Sequence, residues 1–218
     1  MLLVLDTSSP SVSVALLGGE GGDEVLVELT SEQEMRHGEQ LAPLLEQALD
    51  LAGATRLDLT AVGVGVGPGP FTGLRVGLVT ARTLAFVLDL PVYGVCSLDA
   101  LALEAVSTGA VGEPFVVATD ARRKEVYLAS YDEAGARLEG PAVAKPDSVA
   151  TASSGVPVVG EGAHLYPDDF PRAVGPRRVS AAWLGRAIVH ETAELLDPDP
   201  LYLRRPDAEI PGAPKKVS

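Results

Sequence analysis

The chain is short of cysteine, of lysine and of positive charge, and each shortage removes a class of function. It holds one cysteine, Cys96, in 218 residues. No internal disulfide can form, and without a C-x-x-C pair neither zinc nor thiol redox chemistry has its usual ligand set. Cys96 reads as a buried thiol. Seventeen Lys and Arg stand against thirty Asp and Glu, a formal charge of −13. That balance repels a phosphate backbone unless basic residues cluster locally, so direct, strong nucleic-acid binding is not expected. No run of about eighteen apolar residues and no basic-then-apolar leader is present, so neither a spanning helix nor a secretory signal is expected. The expectation is a cytoplasmic protein with no membrane partner. Histidine is scarce as well. His37, His164 and His190 are the whole set, and no two lie within a helical turn of one another, so no local metal-ligand pair exists.

What is present is the material of a globular α/β chain. Hydrophobic residues make up 46% and charged residues 22%. Leu2 to Leu5 reads as a strand, followed by a Ser/Pro turn and a second strand alternating at Val12, Val14 and Leu16; EVLVEL from Glu24 continues the antiparallel start. HGEQLAPLLEQALDLAG places Leu41, Leu44, Leu45, Ala48, Leu49 and Ala52 on one helical stripe, with Pro43 expected to kink its first turns. A buried strand over Thr60 to Gly67, a helix over Thr72 to Leu88, a short strand PVYGVC and a helix over Ser97 to Val106 then form a β-α-β unit. The Gly-rich stretch Thr108 to Pro114 is the best boundary between a first lobe, 1–107, and a smaller second lobe, 108–218. The second lobe opens on a hairpin, FVVATDARRKEVYLASYD, turning at Asp120 to Glu125. A looser, Pro- and Gly-rich section follows. Ser180 then caps a late amphipathic helix, 180–196, expected to pack back on the first lobe.

The segment GVGPGPFTGLRVG, Gly65 to Gly77, has the density of a phosphate-binding loop and fails both tests for one. A dinucleotide fingerprint needs a third glycine at its sixth position; counted from Gly65 that position is Pro70, and from Gly67 it is Thr72. A Walker loop needs a lysine beside its last glycine, and no lysine precedes Lys124. The segment therefore reads as a tight turn from strand to helix. In the helix, Gly73, Gly77, Ala81 and Ala85 recur every four residues and form a stripe of little bulk. A facing helix can approach such a stripe closely. The other faces are apolar too, with Arg75 and Arg82 as the only charges, so this helix needs cover on more than one side. The stripe, with Leu74 and Leu78 beside it, is the expected partner interface: Gly73, Leu74, Gly77, Leu78, Ala81 and Ala85.

LDTSSPSVSVAL, RHGEQLAPLL, GPGPFTGLRVG, GVCSLDALA, DARRKEVYLASYD and YLRRPDAEIP occur in that order over nearly the whole chain. Together they resemble the TsaB (YeaZ) family of the bacterial tRNA threonylcarbamoyladenosine machinery. The resemblance implies an α/β fold like actin, Hsp70 and sugar kinases, with an RNase H-like first lobe and a reduced second lobe. It also implies a non-catalytic role beside a TsaD-like catalytic subunit, with a TsaE-like ATPase as a further member, a homodimer when the chain is alone, and tRNA reached only through the complex. In the catalytic relative a His-x-x-x-His motif holds a metal; the matching positions here are Ser97 and Leu101, which predicts no metal and no catalytic residues. No cofactor is expected in the isolated chain, with ATP possible within the complex. Asp6, Thr7 and Ser8 of the first hairpin are weak candidates to face a phosphate or a magnesium-bound water. They keep an alternative open, an ATP-dependent kinase or ATPase. The second hairpin suits an anion poorly, because its turn DARRKE has no glycine.

Overall fold

The computed structural model describes residues 1–31, 35–150 and 155–204. The part of YLRRPDAEIP from residue 205 on lies outside them. Strands β1 (Leu2–Asp6), β2 (Ser13–Gly18) and β3 (Glu24–Thr30) pair antiparallel, and β4 (Ala61–Gly67) and β5 (Val92–Cys96) continue parallel from the other side of β1. The resulting order is β3-β2-β1-β4-β5. Every residue of β1 is buried, as the apolar run Leu2–Leu5 requires of a strand covered on both faces, and the closing Asp6 is buried with them. Helices α1 (His37–Leu51) and α2 (Phe71–Leu88) cover one face, where Leu3, Leu5, Leu41, Leu45, Leu74 and Ala81 form a core. The edge strand β3 alternates exposed and half-buried residues, the pattern of a half-solvated edge.

The second sheet repeats the plan. Strands β6 (Phe115–Asp120), β7 (Val126–Tyr131) and β8 (Arg137–Ala144) pair antiparallel, and the two-residue strands β9 (Val158–Val159) and β10 (Ala173–Val174) run parallel on the other side of β6. Its helices α4 (Pro146–Val149) and α5 (Glu161–Leu165) are about one turn each. Helices α3 (Ser97–Ser107) and α6 (Ala181–Val189) each close one round of the same sequence: three strands, helix, strand, helix, strand, helix. Two rounds of this plan make an actin-like α/β fold. The closing helices lie between the sheets, packed on each other, and α6 lies against β1 and β2 of the first sheet. Val4, Leu17, Leu98, Leu101, Phe115, Tyr131 and Leu184 share that central core.

One expectation changes. Helix α6 does not run to residue 196; it ends at Val189, with Glu191 in the left-handed region at φ 49° and the Thr192 amide donating to Ala187. The chain then has a competing partner. Leu196 and Gly94 exchange two backbone bonds of 2.8 Å, because β5 is an edge whose amide and carbonyl groups need satisfying. Helix α2 is also long and apolar enough, by length and composition, to cross a membrane. It is laid lengthwise on the first sheet, which accounts for its hydropathy on one side only.

Candidate functional site

The first hairpin carries the cluster nearest to a catalytic constellation. Asp6 ends β1 and is fully buried. Its Oδ1 accepts from the Ser8 amide at 2.9 Å and the Ser8 hydroxyl at 2.8 Å, and its Oδ2 accepts from Ser97 Oγ at 2.7 Å. Burial pushes the Asp6 carboxyl above its ordinary range, and the bonds from Ser97 and Ser8 pull it part of the way back. Thr7 is equally buried and donates to the Gly73 carbonyl at 2.8 Å. All three first-hairpin candidates thus spend their polar atoms inside the chain. The adjoining crevice between Ser9, Thr119 and Arg177 has about 10 Å³, the space of a single water.

The positions matching the catalytic relative's histidines are equally internal. Ser97 Oγ accepts from the Gly67 amide at 3.2 Å while donating to Asp6, and Leu101 sits in the central core. Cys96, one residue earlier, is buried, and burial raises its thiol to about 12, far from a reactive thiolate. His37 donates from Nε2 to the Ser9 carbonyl at 2.8 Å, and His190 meets Asp23 at 3.1 Å. They serve different neighbourhoods. Among the described residues no group of three metal-ligating side chains converges.

The glycine-rich segment is where the first hairpin presses on α2. A Cβ on Gly69 would stand 2.5 Å from the Ser8 carbonyl oxygen, and one on Gly73 would stand 2.6 Å from the Thr7 carbonyl oxygen. Neither backbone can yield cheaply. Gly67 turns the chain at φ 96°, a conformation that favours glycine. These glycines therefore serve the approach of chain to chain.

That approach corrects the expected interface. Gly73, Leu74, Gly77, Ala81 and Ala85 are buried against β1, the hairpin turn and α1, with Ala81 at 0% exposure. Leu78, at 3%, reaches only the floor of a surface groove. The small stripe faces inward because small residues let this helix sit close to its own sheet. The opposite face is the open one. Phe71, Val79, Phe86 and Val87 are exposed, Phe86 at 87% and Val79 at 62%. Arg75 lies over the Phe71 ring at 3.7 Å and donates to the Tyr202 hydroxyl at 2.9 Å, while Phe71 and Tyr202 stack at 5.1 Å. Arg82 pairs with Asp199 at 2.9 Å. The groove beside Val79 measures about 500 Å³ and runs between α2 and the residues Pro200 and Tyr202.

The second hairpin turn is tighter than its sequence suggests. Arg122, Arg123 and Lys124 all adopt left-handed backbone, at φ 61°, 55° and 59°, which costs a non-glycine residue about 1 kcal/mol each. The cost is offset by bonds from every side. Asp120 accepts from the Arg122 amide at 2.8 Å, Ala121 and Glu125 close the turn, and Arg204 donates to the Ala121 carbonyl at 2.9 Å and pairs with Glu125. The Arg122 guanidinium reaches the Met35 sulfur at 3.0 Å, so the tip touches the first half of the chain. A further cluster escaped sequence reasoning. Tyr131 donates to Asp99 at 2.7 Å, and Arg137 lies 3.4 Å from both Asp99 and Glu194. Asp99 lies 32 positions before Tyr131, and Glu194 lies 57 after Arg137, so no local spacing betrays it.

Comparison with known proteins places this architecture. The model of a family described as TsaD, tRNA N6-adenosine threonylcarbamoyltransferase, matches residues 24–195. An uncharacterized protein of Mycobacterium tuberculosis is 42% identical over 95% of this chain and 93% of its own length. The tRNA threonylcarbamoyladenosine biosynthesis protein TsaB of Escherichia coli is 35% identical over 68% of this chain and 64% of its own length. The solved structure of YeaZ from Pseudomonas aeruginosa superimposes with a TM-score of 0.73 at 32% identity, covering 93% of this chain and 99% of that one. In sequence and in fold, the chain belongs to the TsaB/YeaZ family.

Proposed function

We propose that this chain acts in tRNA threonylcarbamoyladenosine biosynthesis as a non-catalytic, cytoplasmic subunit, docking and activating a TsaD-type transferase through the outward face of α2. The observation that carries the reading is the contrast between two regions. Groups that chemistry would use, Asp6, Thr7, Ser8 and Ser97, spend their hydrogen bonds on one another and on α2. Phe71, Val79, Phe86 and Val87 are held out to solvent by a helix packed firmly from behind, and an exposed apolar patch on a rigid element is the mark of an interaction site. A TsaE-like ATPase joins the same assembly, ATP and tRNA enter through the complex, and the α2 face pairs with a second copy when the chain is alone. The names of the TsaB relatives and the family match support the pathway. The alternative, an ATP-dependent kinase or ATPase, requires Asp6 to face a metal-bound water, and the internal donors to both its oxygens weigh against it.

The test is a pair of substitutions, Val79→Glu and Phe86→Glu, each placing a charge on the open face without touching the core. Thermal unfolding stays near that of the parent chain, because exposed positions away from packing shift stability by about 0.5 kcal/mol or less. Affinity for the TsaD-type subunit of the same genome falls by about 10- to 100-fold, as expected when an apolar contact is replaced by a buried charge. Normal association of both variants would move the interface off α2.

A further inference from the structure

The outward face of α2 carries cations and no carboxylate. Along its eighteen residues the only charged side chains are Arg75 and Arg82, and the first acid is Asp89, in the cap. Both arginines stand on the open side, one four positions before Val79 and the other three after it. They therefore alternate with Phe71, Val79 and Phe86 along one exposed stripe. They are also held in place. Arg75 is fixed by Phe71 and the Tyr202 hydroxyl, and Arg82 by Asp199. A pre-positioned guanidinium loses little freedom on accepting a carboxylate, and its planar fork suits two oxygens at once. Between the two lies the groove of about 500 Å³ floored by Leu78, Val79 and Pro200. Its floor suits an apolar side chain, and its rim suits acids.

A second copy of the chain fits this face less well. Two-fold pairing of antiparallel α2 helices about Val79 sets each position before the axis opposite its counterpart after it. Arg75 of one copy then faces Thr83 and Arg82 of the other. No carboxylate on the helix answers it, and Asp199 is already engaged by Arg82. Pairing of α2 on α2 gains the apolar contact and no charge complement from either helix. An acid-bearing partner gains both.

Resting on the docking reading above, we infer that the α2 face is built for a partner helix whose apolar residues alternate with carboxylates along one stripe, and that Arg75 and Arg82 set the preference for that partner over a second copy. The experiment measures two equilibria by sedimentation, self-association of the full chain and its association with the TsaD-type subunit, at low and at high salt. Association with that subunit weakens as salt rises, whereas self-association does not, since only the first uses exposed charge pairs. The double variant R75E/R82E binds the subunit about 10-fold or more less tightly, while its self-association is unchanged or stronger. Arg82→Gln, which disturbs only the exposed pair with Asp199, keeps the Phe71 and Tyr202 stack and still lowers subunit affinity by about 3-fold. Unchanged subunit affinity in both variants, with Val79→Glu still lowering it, would overturn the charge preference and leave the docking reading standing. Failure of the parent chain to bind the subunit at all would overturn both. Arginine-dependent binding of the parent chain to phosphatidylcholine/phosphatidylserine vesicles, without salt-sensitive binding to the subunit, would assign the face to a lipid surface and overturn the proposal.

Discussion

The two sheets follow one sequence of elements and reach different degrees of completion. The first has strands of five to seven residues and helices of fifteen and eighteen residues on its outer face. The second replaces the fourth and fifth strands with two-residue pairs and the corresponding helices with single turns. Its outer core is Ala118, Val126, Val158, Ala163 and Phe170. A sheet needs one well-covered face to be stable, and the second sheet draws its cover from the central seam, where α3 and α6 pack against each other. Reduction of the second half is tolerated because α3 and α6 carry the connection. The first half is covered on both faces, by α1 and α2 outside and by α6 inside, and the far side of α2 is left as an open apolar surface.

The comparison can be broken first at Phe170. It is the largest fully buried side chain in the outer core of the second sheet, at 1% exposure, and truncating such a ring costs about 3–5 kcal/mol. In a chain of this size that lowers the unfolding temperature by roughly 10 °C. Hydrogen exchange on Phe170→Ala separates the halves. Protection falls in β6 and β9 while β1 and β4 keep theirs, if the thin outer core of the second sheet can open alone. An equal fall in every strand would mean that the α3 and α6 seam makes the two halves one cooperative unit.

Ala81→Leu probes the thicker side. Ala81 is fully buried between the first sheet and α1, so the added carbons overpack a closed site at a cost of about 1–3 kcal/mol. The variant unfolds some degrees earlier, and on the proposed docking through the outer face of α2 its folded fraction keeps the parent chain's affinity for a TsaD-type subunit. Weakened binding at unchanged stability would return the small stripe to the surface and undo its assignment as the inner face.

Most of the first half was legible because its patterns are strong: β1 is apolar up to its closing Asp6, and α1 keeps a clean stripe through Pro43. The antiparallel start and the β-α-β unit follow from those patterns. The orientation of α2 was not legible. A helix apolar nearly all round shows that two sides need cover, but its sequence does not say which side meets the sheet; Thr7 and the hairpin turn, some seventy positions earlier, decide that. The second half was harder for physical reasons as well. β8 contains Gly140 and Pro141, which a strand accepts only at an edge, and it is an edge strand. β9 and β10 are too short to have a period. The helix expected to reach residue 196 stops at Val189 without a glycine, because Glu191 takes the left-handed conformation itself and Leu196 is drawn to β5. The buried Asp6 was found as a strand-ending acid, yet its partner Ser97 lies 91 positions away, beyond any local motif.

The smallest expected effect lies in the seam itself. Glu104, on α3, has one carboxylate oxygen buried without a hydrogen-bond partner, and burial, aided by the nearby charge of Glu28, raises its carboxyl from 4.5 to about 7. Glu28 is itself committed to the start of α6, accepting from Ser180 Oγ at 2.6 Å and the Ala182 amide at 3.2 Å. A folded-state value above the unfolded one means that the folded chain holds the proton longer. Stability is therefore full below about pH 4.5, falls as the pH rises toward 7, and stays low above it. Because the side chain is partly open to solvent, screening reduces the effect to about 1 kcal/mol or less. Glu104→Gln removes the ionisation and keeps the shape. Thermal unfolding of the two proteins should nearly coincide at about pH 4.5 and separate by a few degrees at about pH 8, with the glutamine variant the more stable. Parallel profiles across that range would show that Glu104 reaches water in the folded chain and that the seam between the sheets is looser than its packing suggests.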